Sequence, residues 1–169
     1  MAQRAILHPS SFILVAATLL VAACGFQLRG TATLPFESIY VQSTAKSLFA
    51  QQVKRAVRSG SSTRVAEKPD DAEVILQIIN EQRERQILSI TGGGRVAEYE
   101  LRYRVRFRLT DAKQREYIPA SDIVLRRDYS YRDDQVLSKE SEEALLYSNM
   151  QDDAVQQLVR RLQEAKPKS

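Results

Sequence analysis

Cys24 is the only cysteine of the chain, and it closes the run Leu19-Leu20-Val21-Ala22-Ala23-Cys24-Gly25. The spacing is that of a lipobox. Small residues at Ala22 and Ala23 suit a signal peptidase, and the thiol just after them resembles the acceptor that bacteria diacylate through sulfur. Cleavage ahead of Cys24 then frees an amine for a third chain. Upstream, a short basic region with Arg4 precedes an apolar stretch from Phe12 to Ala23. That stretch has roughly the 7 to 15 residues of a signal-peptide core and falls short of the about 20 that span a bilayer. An ordinary secretory signal with a chance cysteine accounts for less of this pattern.

Gly25, rather than an aspartate, follows the cysteine, and similarity to bacterial lipoproteins then implies sorting to the outer membrane with the bulk of the chain facing the periplasm. Two or more acyl chains hold a protein stably on a membrane where one does not. The reading divides the chain into a signal peptide at 1–23, a lipidated tether at 24–35, a single α/β domain at 36–165 and a disordered tail at 166–169.

The same cleavage limits the chemistry left to the mature chain. The only histidine, His8, lies in the segment expected to be removed, so neither histidine nor free thiol remains. That excludes Ser-His-Asp and Cys-His nucleophiles and the usual zinc sites, and it denies the domain a disulfide. No metal and no cofactor is expected beyond the covalent lipid on Cys24. Ser43-Thr44-Ala45-Lys46 spells the S-x-x-K of acyl-enzymes but lacks the S-D-N and K-T-G companions, so it reads as a strand end and a helix cap. Gly92-Gly93-Gly94 is followed by no Gly-Lys-Ser/Thr and leads into a strand rather than a helix, which makes it a hairpin turn rather than a phosphate loop. The acidic pairs Asp70-Asp71, Asp133-Asp134, Glu142-Glu143 and Asp152-Asp153 are adjacent in sequence, and adjacent helical residues do not face each other.

At 169 residues, 43% hydrophobic and 27% charged, the chain has the composition of an ordinary globular protein. A net charge of +4 and a pI near 9.3 favour anionic partners. Export argues against nucleic acid and for the phosphates of the cell envelope, although simple solubility explains a modest charge equally well.

These residues need a scaffold. A first strand is expected over Ser38–Ser43 and a helix after it, capped by Thr44, with Leu48, Phe49, Gln52, Val53, Ala56 and Val57 as its apolar stripe and Gly60 past its end. Residues 73–90 and 95–110 read as a long hairpin. Each arm would reach on the order of 50 Å at about 3.3 Å per residue, which calls for a bulge or a protruding tip. A further strand is expected from Ile123 to Arg132, with Pro119 marking its start or an edge. A final helix from Lys139 to Gln163, capped by Ser138, presents Leu146, Met150, Ala154, Leu158 and Leu162. The fold class is α+β: a two-layer sandwich of two helices on a mainly antiparallel four-stranded sheet, in the order strand-helix-strand-strand-strand-helix.

The clearest strand carries the second set of candidate residues. Leu101, Tyr103, Val105, Phe107 and Leu109 point one way and Arg102, Arg104, Arg106 and Arg108 the other. Arg126 and Arg132 are candidates for the neighbouring strand. A wet sheet face explains such a row as well as an anion-binding face does, and phosphorylated glycolipid would suit the guanidinium fork.

Cys24-Gly25-Phe26-Gln27-Leu28-Arg29-Gly30 resembles the C-G-F-x-L-R-G start of mature LptE-family lipoproteins, and Ala97-Glu98-Tyr99 after a glycine turn is a second, weaker match. The order of elements is similar over essentially the whole mature chain. The resemblance implies a non-enzymatic plug and assembly factor in the lumen of the LptD β-barrel, touching lipopolysaccharide through basic residues. Lys139, in Ser138-Lys139-Glu140, falls where the family has a basic residue opening the last helix. The family's other such residue, an arginine in the hairpin turn, has Arg95 as its nearest counterpart, displaced toward the following strand. The lipopolysaccharide-binding candidates are therefore Lys139, Arg95, Arg102, Arg104, Arg106 and Arg108. The alternative is a stand-alone periplasmic lipoprotein that binds peptidoglycan or another envelope component. A hydrolase using carboxylates alone is a third reading, and it requires acidic residues converging in a cleft.

Overall fold

The long hairpin is the frame on which everything else is hung. In the computed structural model, which describes residues 33–44, 47–132 and 136–166, its arms are β3 (Val74–Ile90) and β4 (Val96–Asp111). Ahead of them come β1 (Ser38–Gln42), α1 (Leu48–Gly60), β2 (Arg64–Val65) and a single 3-10 turn at Pro69–Asp71. After them come β5 (Glu116–Ser130) and α2 (Val136–Gln163). The sheet order is β2-β1-β3-β4-β5, with β1 parallel to both of its neighbours and the β3-β4-β5 part antiparallel. The leader, Cys24, the tether to residue 32, Lys46, the Asp133-Asp134 pair and residues 167–169 lie outside the described residues.

The class is α+β with two helices, but the sheet is five-stranded and mixed rather than four-stranded and mainly antiparallel. The added strand, β2, is two residues long, too short for any periodicity to reveal. Three other boundaries move. Ser47, not Thr44, caps α1, its hydroxyl accepting from the Ala50 amide at 3.0 Å, and Leu48 lies on the solvent side rather than in the stripe. α2 begins at Val136, which puts Ser138 within the helix rather than ahead of it. β5 starts at Glu116 and ends at Ser130, so Pro119 sits inside the strand. A proline is tolerated there because β5 is an edge strand with one neighbour.

Both helices pack on the same sheet face. Phe49, Val53 and Val57 of α1 and Met150, Ala154, Leu158 and Leu162 of α2 share one core with Ile39, Val41, Val74, Leu76, Leu101, Tyr103, Val105, Phe107, Leu109 and Ile123. Leu34 and Phe36, just before β1, are buried in the same core. Gln52 of α1 ties the helices side by side, donating to Asp152 at 3.0 Å and accepting from Gln151 at 2.7 Å.

A register shift between Ile78 and Asn80 divides β3 into two halves. Before it, Val74, Leu76 and Ile78 face the helices. Beyond it the facing parity changes, because a bulge inserts one residue, and the helix side receives Glu81, Arg83 and Arg85. α2 meets the two arginines with polar groups, and Glu81 accepts from the Ser47 hydroxyl at the start of α1 at 3.0 Å. Arg83 donates to Gln151 at 2.7 Å and lies over the rings of Tyr103 and Tyr147. Arg85 pairs with Glu143 at 2.9 Å and lies 4.8 Å from the Tyr99 ring centroid. Tyr103 donates to Glu81 at 2.7 Å, Tyr129 to Glu143 at 2.8 Å and Tyr147 to the Glu84 carbonyl at 2.7 Å.

Two outcomes follow for stability. Leu158→Ala should cost about 2–5 kcal/mol in urea unfolding, the usual range for emptying a fully buried leucine site, whereas Leu137→Ala, 82% exposed, should stay within about 0.5 kcal/mol. Burial first, and then the hydrogen bond to Glu143, pushes the Tyr129 hydroxyl up to about 12. The folded chain thus keeps a proton that the unfolded chain releases near pH 10, so this stabilisation is whole below about pH 10 and is lost as pH rises toward 12. Thermal unfolding followed between pH 8 and 12 should show a melting temperature that falls at the alkaline end, and falls less steeply in Tyr129→Phe; equal slopes would contradict the assignment.

Candidate functional site

The six basic candidates do not form one cluster. Arg95 is at the hairpin tip, where the turn is closed by the Thr91 amide donating to the Arg95 carbonyl at 2.7 Å and by the Gly94 amide donating to the Thr91 carbonyl at 2.9 Å. Gly94 has φ +78°, a left-handed conformation that favours glycine. The Arg95 side chain is exposed. Beside the tip, Ile87, Leu88 and Ile90 are 60%, 49% and 64% exposed, an apolar collar that no helix covers.

Lys139 lies in the first turn of α2, the end of the helix nearer the tip, since Glu143 one turn later meets Arg85 in the distal half of β3. Its side chain is only 12% exposed, and Nζ is 2.7 Å from Glu142 Oε2. Arg95 and Lys139 therefore belong to the same end of the domain, one open and one already paired.

Arg102, Arg104, Arg106 and Arg108 alternate with buried residues along β4 and so lie on the sheet face away from the helices. Across the strands they are flanked by Glu84, Gln82, Asn80 and Gln77 of β3, and Arg102, Arg104 and Arg106 by Arg126, Val124 and Asp122 of β5. Arg102 is neutralised by Glu100 at 2.8 Å and Glu84 at 3.7 Å. Arg108 donates to the neutral amide of Gln77 at 2.6 Å. The Nε atoms of Arg102 and Arg104 are buried without an acceptor. Arg126 sits on this face, opposite Arg102, whereas Arg132 follows the end of β5.

The acidic pairs are dispersed. Glu142 serves Lys139, Glu143 serves Arg85, Asp152 serves Gln52 and Asp153 serves Arg127. Among the described residues, no three acidic, histidine or cysteine side chains gather as a metal group. The Ser43 hydroxyl donates to the Thr44 carbonyl. Sequence reasoning missed the ladder from Arg83 and Arg85 to α2. Its only local sign was a charged run inside a strand, and its partners lie 58 and 68 residues away.

No helix among the described residues is long and apolar enough to cross a membrane. Comparison with known proteins points to one family. The family described as LptE, lipopolysaccharide-assembly, matches residues 36–162. An LPS-assembly lipoprotein LptE of Yersinia enterocolitica is 31% identical over 154 residues, 86% of this chain and 71% of that protein. The Photorhabdus laumondii protein of the same name is 28% identical over 157 residues, 90% and 84% of the two chains. Among solved structures, an uncharacterized lipoprotein B from Nitrosomonas europaea is 40% identical, with a TM-score of 0.70 over 80% of this chain and 88% of that one. The rare lipoprotein B from Shewanella oneidensis is 26% identical, with a TM-score of 0.63 over 73% and 91%. The two-layer fold and the matched span, running from before β1 nearly to the end of α2, make this chain a member of the LptE family of lipopolysaccharide-assembly lipoproteins.

Proposed function

We propose that this chain is a non-enzymatic outer-membrane lipoprotein, anchored at the periplasmic face by lipid on Cys24, that plugs an LptD-like β-barrel, assists its assembly and contacts lipopolysaccharide on its way to the cell surface. The observation that carries the reading is the surface left over once the core is built. One sheet face bears a row of arginines without helices over it, and the hairpin end exposes Ile87, Leu88 and Ile90. Contiguous exposure of that kind marks an interaction site, and enclosure in a lumen would cover both surfaces at once.

The chain enters the domain at Leu34 to Ser38, beside Val74 at one end of the sheet, and the tip at Gly92–Gly94 lies at the other. A lipid on the entering side would hold that end at the membrane while the tip reaches along the lumen. There the open guanidinium of Arg95 and the ammonium of Lys139 meet phosphate, with the apolar collar beside them. Lys139 must first give up Glu142, so Arg95 contributes more.

Purification of the tagged, lipidated chain from outer membranes in mild detergent tests the plug. A large β-barrel that stays folded until boiled should accompany it in fixed ratio, and recovery of the chain alone, at normal abundance and with its lipid, would overturn the reading. For the ligand, Arg95→Glu should weaken lipopolysaccharide binding by about tenfold, the worth of one charge-assisted hydrogen bond, Lys139→Glu by less, and both effects should shrink with salt. Unchanged binding in both variants at low salt would remove this pair from the site.

A further inference from the structure

We infer that the uncovered sheet face docks, through Arg104, Arg106 and Arg108, on a carboxylate-bearing wall inside the partner barrel. The inference rests on the plug reading and gives it a face and a chemistry.

The charges on this face are sorted along its length. At the tip-ward end, Glu84, Glu100 and Asp128 surround Arg102 and Arg126, and the arginines there are answered from within the chain. At the other end nothing answers them. Arg104 and Arg106 make no ion pair or hydrogen bond among the described residues, and Arg108 meets only the amide oxygen of Gln77. Their neighbours on β3 are the neutral Asn80 and Gln82. Asp122, opposite Arg106 at the sheet edge, forms no ion pair with it. Like charges side by side on one sheet face repel, and Nε of Arg104 is shielded from solvent with no acceptor. The terminal nitrogens of Arg104 and Arg106, which no acceptor among the described residues takes, are open to an anion from outside, and a carboxylate matches such a pair with two parallel hydrogen bonds.

Spacing selects a protein wall over other anions. Alternate residues on β4 recur at about 6.6 Å, and inward side chains on a barrel strand recur at the same interval. A row of carboxylates on one strand can therefore face the row of guanidiniums on another. The flanking amides Gln77, Asn80 and Gln82 suit polar protein side chains, while the chain's cluster of exposed apolar residues sits at the tip instead. The acidic end of the face, repelled by the same wall, allows one orientation of the plug.

The test uses the full-length lipidated chain coexpressed with its barrel. Wild type must first bring the barrel down; if it does not, the plug reading falls and this inference with it. Given that, Arg104→Glu with Arg106→Glu should lower the barrel recovered per chain by tenfold or more while the purified variant melts within a few degrees of wild type, and Arg104→Lys with Arg106→Lys should retain part of it. Barrel recovery equal to wild type would overturn the inference and leave the plug reading standing. Should the reversed variant fail to fold, a photo-crosslinking residue at position 106 decides the matter. Capture of a barrel peptide containing Asp or Glu supports the inference, and capture of lipopolysaccharide, or of nothing while the barrel is bound, overturns it.

Discussion

Everything in this domain depends on the register of β4. Leu101, Tyr103, Val105, Phe107 and Leu109 are completely buried under the helices, and the four residues between them are arginines. A slip of one residue would exchange the two sets. Five large side chains, worth roughly 1.5–3 kcal/mol each on burial, would be exposed, and four guanidiniums would be forced into a largely apolar layer. The alternation thus serves stability and surface chemistry together: the same period of two that builds the core obliges the chain to display a cationic strip on the other side.

The bulge after Ile78 does the complementary work on β3. Without it, the polar residues Gln82 and Glu84 would take the helix side and Arg83 and Arg85 the open side. With it, Arg83 stacks on Tyr103 and Tyr147, Arg85 binds Glu143, and the N-terminal half of α2 is fastened by hydrogen bonds and rings rather than by aliphatic packing. The domain consequently has an apolar half near β1 and a polar, aromatic half toward the tip. Elements held by half-exposed polar contacts open more readily than core strands, so the end that carries Arg95 and Lys139 is the more adaptable one.

How much of this was legible depended on the distance over which each signal acts. The arms of the hairpin are found within a residue of where the alternation and the glycine turn put them, because both signals are local and repeat many times. Pro119 signalled a strand start or an edge, and only the sheet order decides for the edge, with β5 running through it. The cap of α1 fell to Ser47 rather than Thr44, a choice between two hydroxyl residues that depends on where the chain leaves β1. The arginines could be assigned to one face by parity alone. That Arg102 is neutralised and Arg104 is not, or that Lys139 is shielded by Glu142, required the strands and the helix in place. Long-range pairs such as Arg85 with Glu143 leave no local trace beyond a charged run inside a strand.

The family relation accounts for a lipoprotein of lipopolysaccharide assembly, and the leftover surfaces support the proposed enclosing partner. The most direct measurement is arginine-selective chemical modification read by mass spectrometry, on the lipidated chain alone and on the chain recovered with its barrel. The account predicts that Arg104, Arg106 and Arg108 react in the free chain and are protected in the complex. Equal modification of all three in both states would contradict it.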